Sequence, residues 1–161
     1  MNGNLEVLAP VAGTATPIAD VPDAVFSGSI VGPGIAVMPD DSPGASIARA
    51  PVDGVLMQLR NHAFIVQAAD GRAILTHLGI DTVELDGEGF TLCAANGDAV
   101  EAGQPIIHWD PAAVRDSGRS PIVPVVALDV PPEALTIVAP IHQPVMDGDA
   151  LFTLSAPPPE L

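Results

Sequence analysis

Two histidines in this sequence, His62 and His77, are the side chains best suited to nucleophilic chemistry. Unperturbed imidazole titrates near 6.5, so at neutral pH one ring nitrogen is often free of a proton and can attack an electrophile such as phosphorus. Attack needs that nitrogen aimed, which usually requires the other ring N–H to be held by an acceptor. A backbone carbonyl at Gly79, just past His77, can serve because glycine lets the chain fold close. Between the histidines lies Asp70-Gly71, a preferred two-residue hairpin turn flanked by two β-rich runs. With that turn Ala69 pairs with Arg72 and Phe64 faces His77. His62 then lies two residues along on the same side of the sheet, roughly 7–8 Å away at the backbone. The spacing permits two imidazoles over one point: His77 as nucleophile, and His62 hydrogen-bonding an oxygen of the transferring group.

Other chemistry fits the residues less well. Two histidines make half a zinc site, whereas zinc takes three or four protein ligands. No HxH motif is present, and His108 and His142 lie in unrelated contexts. A stand-alone metal centre is therefore not expected, although a partner supplying a third ligand could trap zinc between His62 and His77. The single Cys93 sits between Leu92 and Ala94 and reads as a core residue. One cysteine cannot form an internal disulfide, which suits a reducing cytoplasm.

The elements that must position these groups are short. Apolar residues make up 48% of the 161, while 18 Pro and 15 Gly spread along the chain leave little room for long helices. Strands are expected at 5–8, 35–38, 54–59, 64–68, 73–77, 82–85, 91–93, 105–109, 122–128, 135–138 and 151–154. Asp110 followed by Pro111 predicts a helix over 110–116 ending before Gly118, and a shorter helical turn is expected at 22–26. Two segments repeat: Ala9-Pro10-Val11-Ala12-Gly13 as Ala50-Pro51-Val52-Asp53-Gly54, and 100–106 as 145–151. Too few copies exist for a solenoid. The expected fold is all-β: an antiparallel β-sandwich with a duplicated hairpin motif and one or two short helices, in one domain over 1–154. Residues 155–161 read as a Pro-rich tail or the start of an interdomain linker.

The formal charge is −15, and no lysine is present; the cations are Arg49, Arg60, Arg72, Arg115 and Arg119. Nucleic acid and anionic membrane are poor partners for such a surface, whereas a basic protein would be steered towards it. No run approaches the ~18 apolar residues of a membrane span, and no leader opens the chain, so no direct membrane insertion and a cytoplasmic location are expected.

The stretch Asn61-His62-Ala63-Phe64, followed by Thr76-His77-Leu78-Gly79-Ile80-Asp81-Thr82-Val83-Glu84-Leu85-Asp86-Gly87-Glu88-Gly89-Phe90, closely resembles the glucose-family IIA component of the bacterial phosphoenolpyruvate:sugar phosphotransferase system. The segments 20–26, 30–34 and 50–54 resemble it too, so the likeness covers about residues 8–154. It implies a barrel-sandwich-like β fold and a phosphohistidine carrier, a transferase-class component of sugar uptake of the glucose or N-acetylglucosamine type. His77 would receive the phosphoryl group from HPr and pass it to a cysteine on a IIB domain. His62 would support it. No cofactor is implied, beyond a zinc ion at a partner interface. The resemblance makes Phe26, Ile30, Val31 and Val83 the apolar docking face, with Asp23 and Asp81 meeting arginines on HPr. It also implies regulatory binding to permeases or enzymes according to phosphorylation state. Arg60 stands where the family usually has a threonine, and its guanidinium is expected to contact the phosphoryl group instead. The absence of lysines and of the family's longer amphipathic N-terminal tail, together with the Pro-rich end, suggests the N-terminal IIA module of a fused multiphosphoryl transfer protein. A lipoyl- or biotinyl-type carrier, also suggested by the duplicated hairpin, is excluded because it needs a lysine.

Overall fold

A computed structural model describes residues 4–40 and 46–155 of the chain. The Pro-rich stretch expected as tail or linker lies, from residue 156 on, outside the described residues. All strand pairing is antiparallel, in three sheets. One small sheet joins β1 (Leu5–Leu8) to a late strand, and the next strand along, β2 (Gly13–Pro17), opens the large sheet. After helix α1 (Ala24–Ser27) come β3 (Gly34–Pro39), β4 (Ser46–Arg49), β5 (Gly54–Leu59), β6 (Ala63–Gln67) and β7 (Ala73–His77). Next are β8 (Phe90–Leu92), β9 (Ala99–Val100), β10 (Pro105–Trp109), α2 (Pro111–Asp116) and β11 (Val123–Leu128). The series ends with β12 (Leu135–Ile137), β13 (Pro144–Val145) and β14 (Ala150–Leu154). The small sheets run β1-β14-β12 and β4-β10-β8; the large one runs β13-β2-β3-β11-β7-β6-β5-β9.

The repeated segments occupy equivalent places. Leu8 N–H donates to Pro51 C=O at 3.0 Å, and Arg49 N–H donates to Pro10 C=O at 3.0 Å, so each copy of the first motif closes the other. The second motif behaves alike: Val145 pairs with Gly13 as Val100 pairs with Gly54. The repeated glycines have a steric cause. A Cβ on Gly13 would lie 2.1 Å from Met38 O, and one on Gly54 would lie 2.1 Å from Gln67 O. The sheet neighbour passes too close for any side chain.

The inner faces of all three sheets share one core, with Phe64, Ile35 and Leu56 from the large sheet meeting Trp109 and Phe152 from the small ones. The centre of the large sheet is covered on its outer face too. Phe26, Ala36, Ile80, Ile122 and Val126 form a second cluster there, with Leu75 packed against it. This is why Val123 to Ala127 are all buried and read as a continuous apolar run rather than an alternation. Along β7 the side chains of Ile74 and Thr76 go inward, and Leu75 and His77 go to the outer face with α1.

Several expectations need correction. Residues 82–85 form a 3-10 turn, not a strand. Asp81 at φ +61° and Asp86 at φ +51° bracket it, and left-handed backbone at both ends is incompatible with strand pairing. The hairpin register also slips by one. Ala63, not Phe64, lies opposite His77. The loop is closed by Gly71 N–H donating to Ala68 C=O (2.9 Å) and Ala68 N–H donating to Arg72 C=O (2.8 Å), giving a three-residue connection. Only Gly71 has a positive φ; Asp70 does not, and a two-residue turn of type I′ would need both. Asp70 instead accepts Arg72 N–H at 3.0 Å, which stabilises the wider turn. Strands β2, β4, β9 and β13 were not foreseen; they are short, or rich in Gly, Pro and Thr. Cys93, expected in the core, is exposed. Both helices form, each capped by an aspartate: Asp23 accepts Val25 N–H, and Asp110 accepts Ala112 N–H and Ala113 N–H.

Candidate functional site

His77 is the last residue of β7, where the chain leaves the sheet. Gly79 takes φ +81°, and a Cβ there would sit 2.7 Å from Thr82 Cγ2 and 2.9 Å from Ser120 O. Glycine is therefore required twice over, by backbone conformation and by space. The turn brings Gly79 C=O back to His77 Nδ1 at 2.6 Å. A carbonyl only accepts, so Nδ1 carries the proton and Nε2 keeps the lone pair.

His62 lies in the bend between β5 and β6, tied to the His77 loop because its carbonyl accepts Leu78 N–H at 2.7 Å. The imidazole centroids are 5.1 Å apart with planes at 76°. With the observed register, strand alternation would send His62 and His77 to opposite faces. The rings meet because β6 begins at Ala63, and His62 precedes it, outside the pleat. Phe26 from α1 stands against His77 at 5.2 Å between ring centroids.

Burial sets the electrostatics. It pushes the His77 imidazole below its ordinary value, against the Gly79 carbonyl, Asp23 and Asp81, which favour the proton. His62 is also held low, first by burial, then by the positive charge His77 would carry, then by Arg60. Both rings are therefore neutral at neutral pH, with the free nitrogen of His77 unprotonated.

The other expected residues fall into three places. Ile30 (74% exposed) and Val83 (60%) stand out beside the histidines, and Val25 at 45%, which the sequence reading missed, joins them. Val31 is half-buried. Phe26 is only 6% exposed, so it is a support under His77 and not part of an open docking face. Asp23 caps α1 through Val25 N–H at 2.9 Å, and Asp81 is exposed at the start of the 3-10 turn. Arg60 is exposed, near enough to His62 to act on its titration. Sequence reasoning also missed what holds the loop: the buried Thr82, whose hydroxyl donates to Leu78 C=O at 2.8 Å, and the Arg119–Glu84 ion pair at 3.2 Å. Threonine inside an apparent strand gave no signal that its hydroxyl would tie back to the Leu78 carbonyl.

Among the described residues, no group of three or more His, Cys, Asp or Glu side chains could hold a metal ion. No helix among them is long and apolar enough to cross a membrane. A cleft of about 740 Å³ lies at the Ala73 end of β7, around Arg72, Leu128 and Glu133, away from His77. His62 and His77 are half-buried and line neither that cleft nor two smaller ones.

An antiparallel β-sandwich presenting a tautomer-locked histidine beside a second imidazole on an apolar rim defines a class of surface group-carriers. The family model for the "phosphoenolpyruvate-dependent sugar phosphotransferase system, EIIA 1" matches residues 5–131, and the chain belongs to that family. It is 44% identical over 124 residues to the PTS system glucose-specific EIIA component of Haemophilus influenzae, covering 76% of this chain and 72% of that protein. It is 38% identical over 122 residues to the glucose-specific EIIBCA component of Corynebacterium glutamicum, covering 76% of this chain but 18% of that much longer protein. Among solved structures, glucose permease IIA from Mycoplasma capricolum matches with a TM-score of 0.85 at 34% identity, over 96% of this chain and 97% of that one. The expected fold and family are thus both found, and the chain is a component of the phosphotransferase system that carries phosphoryl groups.

Proposed function

We propose that the chain relays a phosphoryl group from HPr to the cysteine of a IIB domain during uptake of a sugar of the glucose or N-acetylglucosamine type, as a transferase-class component in the cytoplasm. The observation that carries this reading is the 2.6 Å contact of His77 Nδ1 with Gly79 C=O, which leaves Nε2 free beside the His62 ring. In the first step the Nε2 lone pair attacks phosphorus. The bond from phosphorus to its donor atom on HPr breaks, and that electron pair stays with HPr. In the second step a thiolate on IIB attacks, the P–Nε2 bond breaks, and its pair returns to the imidazole. His62 and the Arg60 guanidinium donate to phosphoryl oxygens while charge spreads over them. Ile30, Val31 and Val83 form the docking patch, with Asp23 and Asp81 at its rim. The presence of a EIIBCA protein among the relatives supports IIB as the acceptor.

No cofactor takes part. A zinc ion shared between His62, His77 and a partner's ligand belongs to a second, regulatory use of the face. The exposure of Ile30 and Val83 beside the phosphorylated position favours that use, since an added dianion would oppose apolar docking there.

Incubation with phosphoenolpyruvate, enzyme I and HPr, followed by mass mapping of an acid-labile phosphate, tests the relay. The phosphate is expected on His77. His77→Ala should abolish acceptance, and His62→Gln, whose amide presents its N–H from a different position than the ring, should accept phosphate but pass it to IIB at least ~10²-fold more slowly, the usual scale when a transition-state hydrogen bond is not made. Normal phosphorylation of the His77→Ala protein would overturn the assignment.

A further inference from the structure

We infer that Thr82 is a positioning residue for the nucleophile: its buried hydroxyl fixes the peptide geometry that locks His77 in the Nδ1–H tautomer. This rests on the reading of His77 as the phosphoryl acceptor, but its own observable is independent of phosphorylation.

Two consecutive peptide groups after His77 are each held at both ends. In the first, Leu78 C=O accepts the Thr82 hydroxyl at 2.8 Å, and Gly79 N–H donates to Ile122 C=O at 3.0 Å. In the second, Gly79 C=O accepts His77 Nδ1–H at 2.6 Å, and Ile80 N–H donates to Ser120 C=O at 2.9 Å. A peptide group is planar, so holding its oxygen and its N–H leaves rotation about the neighbouring Cα atoms as its only freedom. The first plane sets where Gly79 stands, and the second aims its carbonyl at the imidazole. Of the four tethers, one runs to the His77 ring itself, two run to backbone of the segment leading into β11, and only the Thr82 tether can be removed by a side-chain substitution that leaves His77 in place.

Thr82 is built for this place. It is 1% exposed, one of few polar residues in the interior of the described structure. Its Cγ2 lies under Gly79, where a Cβ on that glycine would meet it at 2.7 Å. The hydroxyl thus anchors one peptide while the methyl packs against the next residue. Without the hydroxyl, the buried Leu78 carbonyl loses its tether, and Gly79 is free to turn its carbonyl away from Nδ1. An imidazole without that acceptor distributes its proton between both nitrogens, and the Nε2–H form has no lone pair to offer at the exposed edge.

The test is ¹⁵N NMR of the His77 ring in the unphosphorylated protein at pH 8, where the ring is neutral. In the wild type the shifts should show a protonated Nδ1 and a bare Nε2. Thr82→Val keeps the shape and removes the hydroxyl, so its two nitrogen shifts should converge as the tautomers mix. The rate of phosphoryl acceptance from HPr should fall about tenfold, the equivalent of one buried hydrogen bond of about 1.4 kcal/mol. Thr82→Ser keeps the hydroxyl and loses the methyl, and should keep the wild-type tautomer and most of the rate. A wild-type tautomer in Thr82→Val, or a mixed one in Thr82→Ser, overturns the proposal; the serine variant decides it even where the valine variant does not fold. Should the shifts change as stated while His77→Ala still accepts phosphate, the relay reading falls and the positioning role stands.

Discussion

At the scale of single residues, the protonation state of the two imidazoles bears on stability and, on the proposed reading, on chemistry. Both are held below the ordinary histidine value by burial, with His62 also lowered by its neighbour ring and by Arg60. As pH falls below about 6.5, the unfolded chain binds protons that the native rings still resist. Stability from these groups is therefore complete above that value and is lost as pH drops through the depressed folded values. Urea midpoints at pH 7.5 and 5.5 should fall for the wild type, and fall less for a His62→Gln/His77→Gln variant; an equal fall would place the acid sensitivity elsewhere. Arg60 gives a second check. Its replacement by alanine removes a cation from beside His62, so the His62 titration followed by NMR should move upward.

At the scale of elements, α1 matters out of proportion to its length. A four-residue helix has no independent stability. It persists because Asp23 caps it and Phe26 packs into the second cluster against Ile80 and Val126, with its ring against His77. Phe26→Ala should cost about 3 kcal/mol of unfolding free energy, measured by denaturant titration. It should also raise the His77 titration, because the cavity admits water to a ring now held low by burial. A loss of stability with no movement of His77 would mean that Phe26 supports the fold alone.

Elements differed in how legible they were in the sequence. Helix α2 was plain because Asp110-Pro111 writes both its cap and its first turn locally, and β7 was plain because an apolar run ends at a histidine. The 3-10 turn at 82–85 was not, because Thr-Val-Glu-Leu has strand composition, and only the left-handed Asp81 and Asp86 exclude pairing. The hairpin shows the limit most clearly. Composition named the turn but not its width, and one residue of width decides which face each side chain takes. Convergence of His62 and His77 was expected from a same-face argument and occurs instead because His62 lies just outside the strand. Thr82 escaped because it opens the turn that reads as a strand, and Phe26, expected on the docking face, is buried because α1 lays it on the outer face of the sheet, a cover that only the tertiary packing reveals.

At the scale of the whole molecule, charge and symmetry divide the labour. The two halves hold each other through reciprocal bonds from Leu8 to Pro51 and from Arg49 to Pro10, and Arg49 adds an ion pair to Asp147 at 3.0 Å across that seam. Arg72 and Arg119 are likewise paired with carboxylates of their own surroundings. The five arginines offset only five of the twenty carboxylates, and the net charge of −15 acts at long range on a basic partner. On the proposed docking face, close contact would depend on different groups, the exposed Ile30 and Val83. The two contributions separate in kinetics. Salt shortens the screening length from roughly 10 Å at 0.1 M to about 3 Å at 1 M, so it weakens steering but hardly touches apolar burial. Stopped-flow association with HPr should slow on the order of tenfold across that range while dissociation changes little. Asp23→Asn/Asp81→Asn should flatten the salt dependence of association, and asparagine at position 23 preserves the cap on α1, so the helix under His77 stays in place. Val83→Ser should instead speed dissociation and leave the salt dependence intact. If the asparagine pair leaves the salt slope unchanged, steering comes from the diffuse charge of the whole surface and not from the carboxylates beside the histidines.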